Sequence, residues 1–112
     1  MEYQSTNGPI ELSGPHVEGF LAFHEANPHV YRILVDNARR AVARGHRKLG
    51  IRMLWEVLRW TLMMEVEDPT QADWKLNDHY TRHYARLIMH QEEDLLGVFE
   101  TREKQPEGSE DV

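Results

Sequence analysis

Residues 49–64 constrain the fold more than any other part of the chain. At ~100° per residue, Ile51, Leu54, Trp55, Leu58 and Leu62 fall on one face of a helix. Met53, Val57, Trp60, Thr61 and Met64 widen the apolar arc, and Arg52, Glu56 and Arg59 make a narrow polar strip. A helix this apolar around its circumference is expected to be the central one, packed on more than one side. Trp55 and Trp60 lie ~140° apart on the wheel, so they are expected to meet different neighbours.

The flanking segments are also helical in period. Residues 15–26 place Val17, Phe20, Leu21 and His24 on one stripe, with Pro15 suited to the first turn. Asn27-Pro28 breaks that helix and starts the next, with Asn27 as the expected N-cap. Residues 28–44 carry Val30, Leu34, Ala38 and Ala41 on one face, ending at Arg44-Gly45 with a cation and then a glycine able to take positive φ. A fourth helix is expected after a cap at Asn77 or Asp78, lined by Tyr80, Tyr84, Leu87 and Ile88. A shorter one follows, with Asp94 as its cap. Between the third and fourth helices, short extended arms near 64–66 and 74–76 are compatible with a small hairpin, and a plain loop fits equally.

The expected fold is therefore mostly α: a compact bundle of four to five helices in residues 15–102, with or without a β-hairpin before the fourth helix. It would be an expanded helix-turn-helix or winged-helix-like arrangement. Residues 1–14 hold Gly8, Pro9, Ser13 and Gly14 with few apolar side chains and are expected to be a flexible tail. Residues 103–112 are acidic and contain Pro106 and Gly108, so a second, disordered tail is expected.

Composition closes off several function classes. The 112 residues include no cysteine, which excludes disulfides, thiolate metal sites, Fe–S clusters and cysteine nucleophiles. No apolar run approaches the ~18–20 residues of a membrane span. The start of the chain has neither a basic nor an apolar signal-type region, so a cytoplasmic location is expected. No glycine-rich phosphate loop and no Gly-x-Ser-x-Gly elbow is present. Nothing assembles a base, a nucleophile and an oxyanion donor, so neither catalysis nor a cofactor is expected. His79 and His83 are four apart on a helix and could share an ion. His90 lies ~16 Å further along the axis than His79, and no third ligand is in sequence reach, so no metal site is expected.

Charge is unevenly spread. Residues 32–60 hold eight basic residues and two acids, a net +6, whereas the rest of the chain carries −12 and the whole −6. Arg39, Arg40, Arg44, Arg47, Lys48 and Arg52 would form a basic patch on the second helix, its turn and the third helix. Such a patch suits phosphates, although an ordinary solvated helix face has the same composition. Opposite the apolar stripe of the fourth helix lie His79, Arg82, Arg86 and His90, with His83 at the margin. A capped helix bearing this ridge has the character of a DNA-recognition helix.

Four strings, Phe23-His24-Glu25-Ala26-Asn27-Pro28-His29-Val30-Tyr31, Gly50-Ile51-Arg52-Met53-Leu54-Trp55-Glu56-Val57-Leu58-Arg59-Trp60, Lys75-Leu76-Asn77-Asp78-His79-Tyr80 and Tyr84-Ala85-Arg86-Leu87, resemble a group of short uncharacterised proteins of bacteriophages and prophages. The likeness spans residues 20–102, with the Leu-Asn-Asp-x-Tyr…Tyr-Ala-Arg block its most distinctive part. The group has no known activity, so the resemblance implies a phage context and the cytoplasm of a host cell. That context suits small DNA-binding regulators and small acidic proteins that block a host enzyme.

Two functions are therefore expected from the sequence. In the first, a regulatory helical module grips DNA through Arg39, Arg40, Arg44, Arg47, Lys48 and Arg52 and offers His79, Arg82, His83 and Arg86 to a groove. In the second, the chain is a non-enzymatic protein-interaction module. It either pairs with itself through the apolar third helix, especially Trp60 and Met63, or captures a host protein.

Overall fold

The computed structural model describes residues 1–66 and 76–99. The described chain is mostly helical with one small antiparallel sheet. Strands β1 (Glu2–Ser5) and β2 (Gly8–Glu11) are followed by helices α1 (Val17–Ala26), α2 (Pro28–Ala43), α3 (Ile51–Glu65) and α4 (Thr81–Gln91). Single 3₁₀ turns at Asp78–Tyr80 and Glu93–Leu95 bracket α4.

The helix ends follow local chemistry. Pro28 opens α2, as its fixed φ allows. Asn27 does not cap α2 with its side chain. Its Nδ2 donates to the Phe23 carbonyl at 3.0 Å and its backbone N–H to the same oxygen at 2.9 Å, so it closes α1 instead. Gly45, at φ 104°, ends the second helix as its sequence position suggests. Leu49 lies outside α3. Its N–H donates to the Val98 carbonyl at 2.9 Å, and it pairs with Phe99 in a short parallel bridge that ties the segment after α4 to the turn before α3. Asn77 Oδ1 accepts the His79 N–H at 2.9 Å, which starts the 3₁₀ turn leading into α4. Glu92, not Asp94, occupies the cap position of the last turn.

The core lies where α1, α2, α3 and α4 converge. Val30, Leu34, Val35 and Ala38 of α2 meet Leu54, Trp55, Leu58 and Leu62 of α3 and Tyr84, Ala85, Leu87 and Ile88 of α4. Aromatic rings concentrate at the α1–α4 contact. Phe20 meets Tyr84 edge to face at 4.7 Å, and Trp55 lies 5.6 Å from the same tyrosine.

The expectation for the N-terminus is corrected. Residues 1–14 are not a tail. Ser5 opposes Gly8 across a two-residue turn, Tyr3 opposes Ile10, and Tyr3 and Ile10 pack against the core. Gly8 closes the turn at φ 100°, a conformation that favours glycine, and Leu12 is fully buried. Of the two alternatives for residues 64–76, an extended arm near 64–66 is not met at Met64 and Glu65, which are helical, and the plain loop lies mostly outside the described residues. The arm's expected partner at 74–76 falls mostly, and the acidic tail at 103–112 wholly, outside the described residues.

Candidate functional site

The ten expected nucleic-acid-binding residues do not share one open surface. The N-terminal segment covers the ridge of α4. His83 is completely buried, and its Nε2 lies 2.8 Å from the Pro15 carbonyl. A carbonyl oxygen only accepts, so this contact places the imidazole proton on Nε2. Arg86 Nη2 donates to the Glu11 carbonyl at 3.3 Å, and His90 Nε2 sits 3.0 Å from the Gly8 carbonyl. The Arg82 guanidinium packs against Gly14 so closely that a Cβ there would fall 2.9 Å from Nη2. His79 stays exposed, stacked on His16 with ring centroids 4.2 Å apart. His16 itself holds a left-handed φ of 70°. His83, Arg86 and His90 of the would-be recognition helix thus anchor the backbone carbonyls of Pro15, Glu11 and Gly8.

Burial biases the enclosed ring toward its neutral form. Desolvation pulls the His83 pKa below the usual histidine value, the Pro15 hydrogen bond opposes this, and Arg82 and Arg86 push it down further. His24, wedged between Phe20 and Tyr31, is lowered by burial as well, with Glu25 opposing.

The basic patch is divided. Arg39 forms a fork onto Asp94, Nε to Oδ2 at 2.8 Å and Nη2 to Oδ1 at 3.0 Å, and reaches Glu92 at 2.7 Å. Tyr31 donates to the other Glu92 oxygen at 2.9 Å and receives Gln91 Nε2 at 2.8 Å. Gln91 Oε1 in turn accepts the Thr6 N–H at 3.1 Å, so one polar chain links the hairpin, α2 and the end of α4. Arg39 holds the Asp94 carboxyl below the usual carboxylate range. Arg59 contacts Glu56 at 2.5 Å and Asp78 at 2.8 Å, while Arg52 stands 3.8 Å from Asp78. Lys48 donates to the Gly97 carbonyl at 3.1 Å. Arg40, Arg44 and Arg47 are exposed and have no carboxylate within ion-pair distance among the described residues. The surviving basic surface is the short stretch around the α2–α3 turn.

Among the described residues no group of three histidines or acids comes together around a point that could hold a metal ion. His79 and His83 diverge, one stacked outside and one enclosed. No described helix is long and apolar enough to cross a membrane.

The helix expected to be central is instead two-faced. Leu54, Trp55, Leu58 and Leu62 are buried, but Trp60 is 61% exposed, Met64 62%, Met53 55%, Met63 50% and Val57 41%. Met53, Val57, Trp60 and Met64 recur at spacings of four, three and four residues, which places them in one line along the helix. Trp60 and Met63 stand out from composition alone. The full line is missed by a wheel that counts apolar residues without knowing which side the other helices take.

No protein-family model matches the chain, and no curated protein and no solved structure matches it either.

Proposed function

We propose that the protein is a non-enzymatic protein-interaction module that docks through the outer face of α3. The observation that carries this reading is the line Met53, Val57, Trp60 and Met64, four large apolar side chains exposed side by side on a helix whose opposite face is fully used by the core. Single exposed apolar residues are common on soluble proteins, but a contiguous patch with a tryptophan at its middle marks a binding surface. Methionine adapts its shape at such surfaces, and three of the five exposed residues here are methionines. The covered ridge of α4 and the paired Arg39, Arg52 and Arg59 leave less for a nucleic-acid grip than the sequence suggests.

The test is the double variant Trp60→Lys/Met64→Lys. Measured below the concentration of any self-association, a docking face predicts unchanged circular dichroism and a melting temperature within ~2 °C of the parent, with binding of an apolar fluorescent dye lost. A fall above ~5 °C would mean that the stripe supports the fold and would end this reading.

A nucleic-acid reading keeps one specific observation, the exposed Arg40, Arg44 and Arg47 beside the α2–α3 turn, which have no carboxylate within ion-pair distance among the described residues. Duplex binding that weakens with salt and disappears in Arg44→Ala/Arg47→Ala would favour it.

A further inference from the structure

We infer that the occupant of the α3 stripe is a second copy of this chain, packed antiparallel across a two-fold axis that passes between residues 58 and 59. The inference rests on the docking reading above and adds the partner, the direction and the register.

The argument starts from symmetry. An isologous contact requires that residue i of one copy meets residue j of the other while j meets i. For two antiparallel helices this holds only if the contacting positions are mirror-placed about a centre. The four stripe residues meet that condition: Met53 and Met64 lie equally far from the midpoint, and so do Val57 and Trp60. In this register the large Trp60 indole faces the small Val57 of the other copy at both central positions, and flexible methionines face each other at both outer positions. The parallel alternative stacks Trp60 on Trp60 and leaves Val57 against Val57, one contact overfilled and one underfilled.

The polar flank agrees. Glu56 and Met63 border the stripe on one side, with Arg59 just behind. In the antiparallel register, Glu56 is level with the stretch between Met63 and Arg59 of the other copy, about 3 Å along the axis from each at ~1.5 Å per residue. The two Glu56 residues are offset by ~7.5 Å along the axis. Acid therefore meets base and methionine, not acid. Arg59 already holds Glu56 within its own copy, so the pair enters the contact with its charge compensated.

The five exposed side chains offer at most on the order of 500 Å² per copy, or about 1,000 Å² for a pair when all of it is covered, which is the lower edge of the range for specific interfaces. An interface of that size has little surplus, so association should depend steeply on Trp60.

Sedimentation of the full chain tests the partner. A species of twice the 13.2 kDa protomer mass is expected at micromolar concentrations. Trp60→Lys should raise the concentration needed for half-association by at least ~100-fold. Direction and register are read by crosslinking, which the absence of native cysteine makes clean. Met53→Cys and Met64→Cys chains, each alone, should react poorly with a short bis-thiol reagent, because like positions are ~16 Å apart along the axis. Mixed together they should crosslink readily. Efficient crosslinking of either variant with itself would overturn the antiparallel register. A parent that stays monomeric at every concentration would overturn the second copy as occupant. The docking reading itself would then still stand if Trp60→Lys/Met64→Lys keeps its stability, and would fail with it if that variant melts early.

Discussion

Leu12→Ala decides whether the N-terminal segment belongs to the folded unit. Leu12 is fully buried and part of the main core, although it sits just after a hairpin that composition alone assigns to a tail. The substitution deletes three carbon atoms, worth roughly 2.4 kcal/mol at ~0.8 kcal/mol per buried methylene. A cavity term adds to this where the surroundings do not collapse, so the expected loss is about 3 kcal/mol. With a urea slope of ~1.5 kcal/mol per molar for a chain of this size, the midpoint should fall by ~2 M. Unfolding followed by tryptophan fluorescence reads the shift. Leu96→Ala is the control, since Leu96 is 76% exposed and should cost less than ~0.5 kcal/mol. Equal midpoints for the two variants would refute the reasoning. Residues 1–14 would then be outside the cooperative unit, and the α4 ridge would be open to a nucleic acid after all.

Two further outcomes follow from enclosed polar groups. Stability should fall as pH drops below the histidine reference value of 6.5, because His83 and His24 have lowered pKa values and the unfolded chain takes up their protons first. Their contribution is fully present above that value. Each histidine contributes a slope of at most ~1.4 kcal/mol per pH unit. His83→Gln, which keeps a donor for the Pro15 carbonyl, should flatten the slope between pH 6.5 and 5 in urea titrations, and an unchanged slope would count against an enclosed His83. Tyr84→Phe should leave stability unchanged or raise it by up to ~1 kcal/mol, since the buried hydroxyl has no hydrogen-bond partner among the described residues and the ring contacts remain; a clear loss in the urea midpoint would reveal a partner for that oxygen.

Much of the helical frame is legible in the chain itself. The period of 28–44 with Asn27-Pro28 before it and Gly45 after it places α2 within a residue of its observed ends. The misses have physical causes. The hairpin escapes notice because its inward side chains are few, Tyr3 and Ile10 with small neighbours, so no alternation stands out. Asn7-Gly8 is the one local turn signal in this segment, with Gly8 closing the turn opposite Ser5. His83 reads as a polar surface residue because a helical wheel contains no information about a carbonyl 68 positions away. The same limit applies to α3. Apolar residues all round a helix mean either burial on every side or one face left for another molecule, and only the placement of α2 and α4 separates the two. Arg39 shows the limit for charge: a linear count makes it part of a patch, while the fold delivers Asp94 and Glu92 to it.

The hairpin's clasp on α4 also orders events in time. Its contacts join groups 75 to 85 positions apart in the chain, and such distant closures are reached late because the intervening chain must first give up its freedom. During synthesis the opening residues leave the ribosome long before the helix that receives them exists. Until that helix emerges, the carbonyls of Gly8, Glu11 and Pro15 have no donor on it, and the arginines and histidines of α4 have no cover.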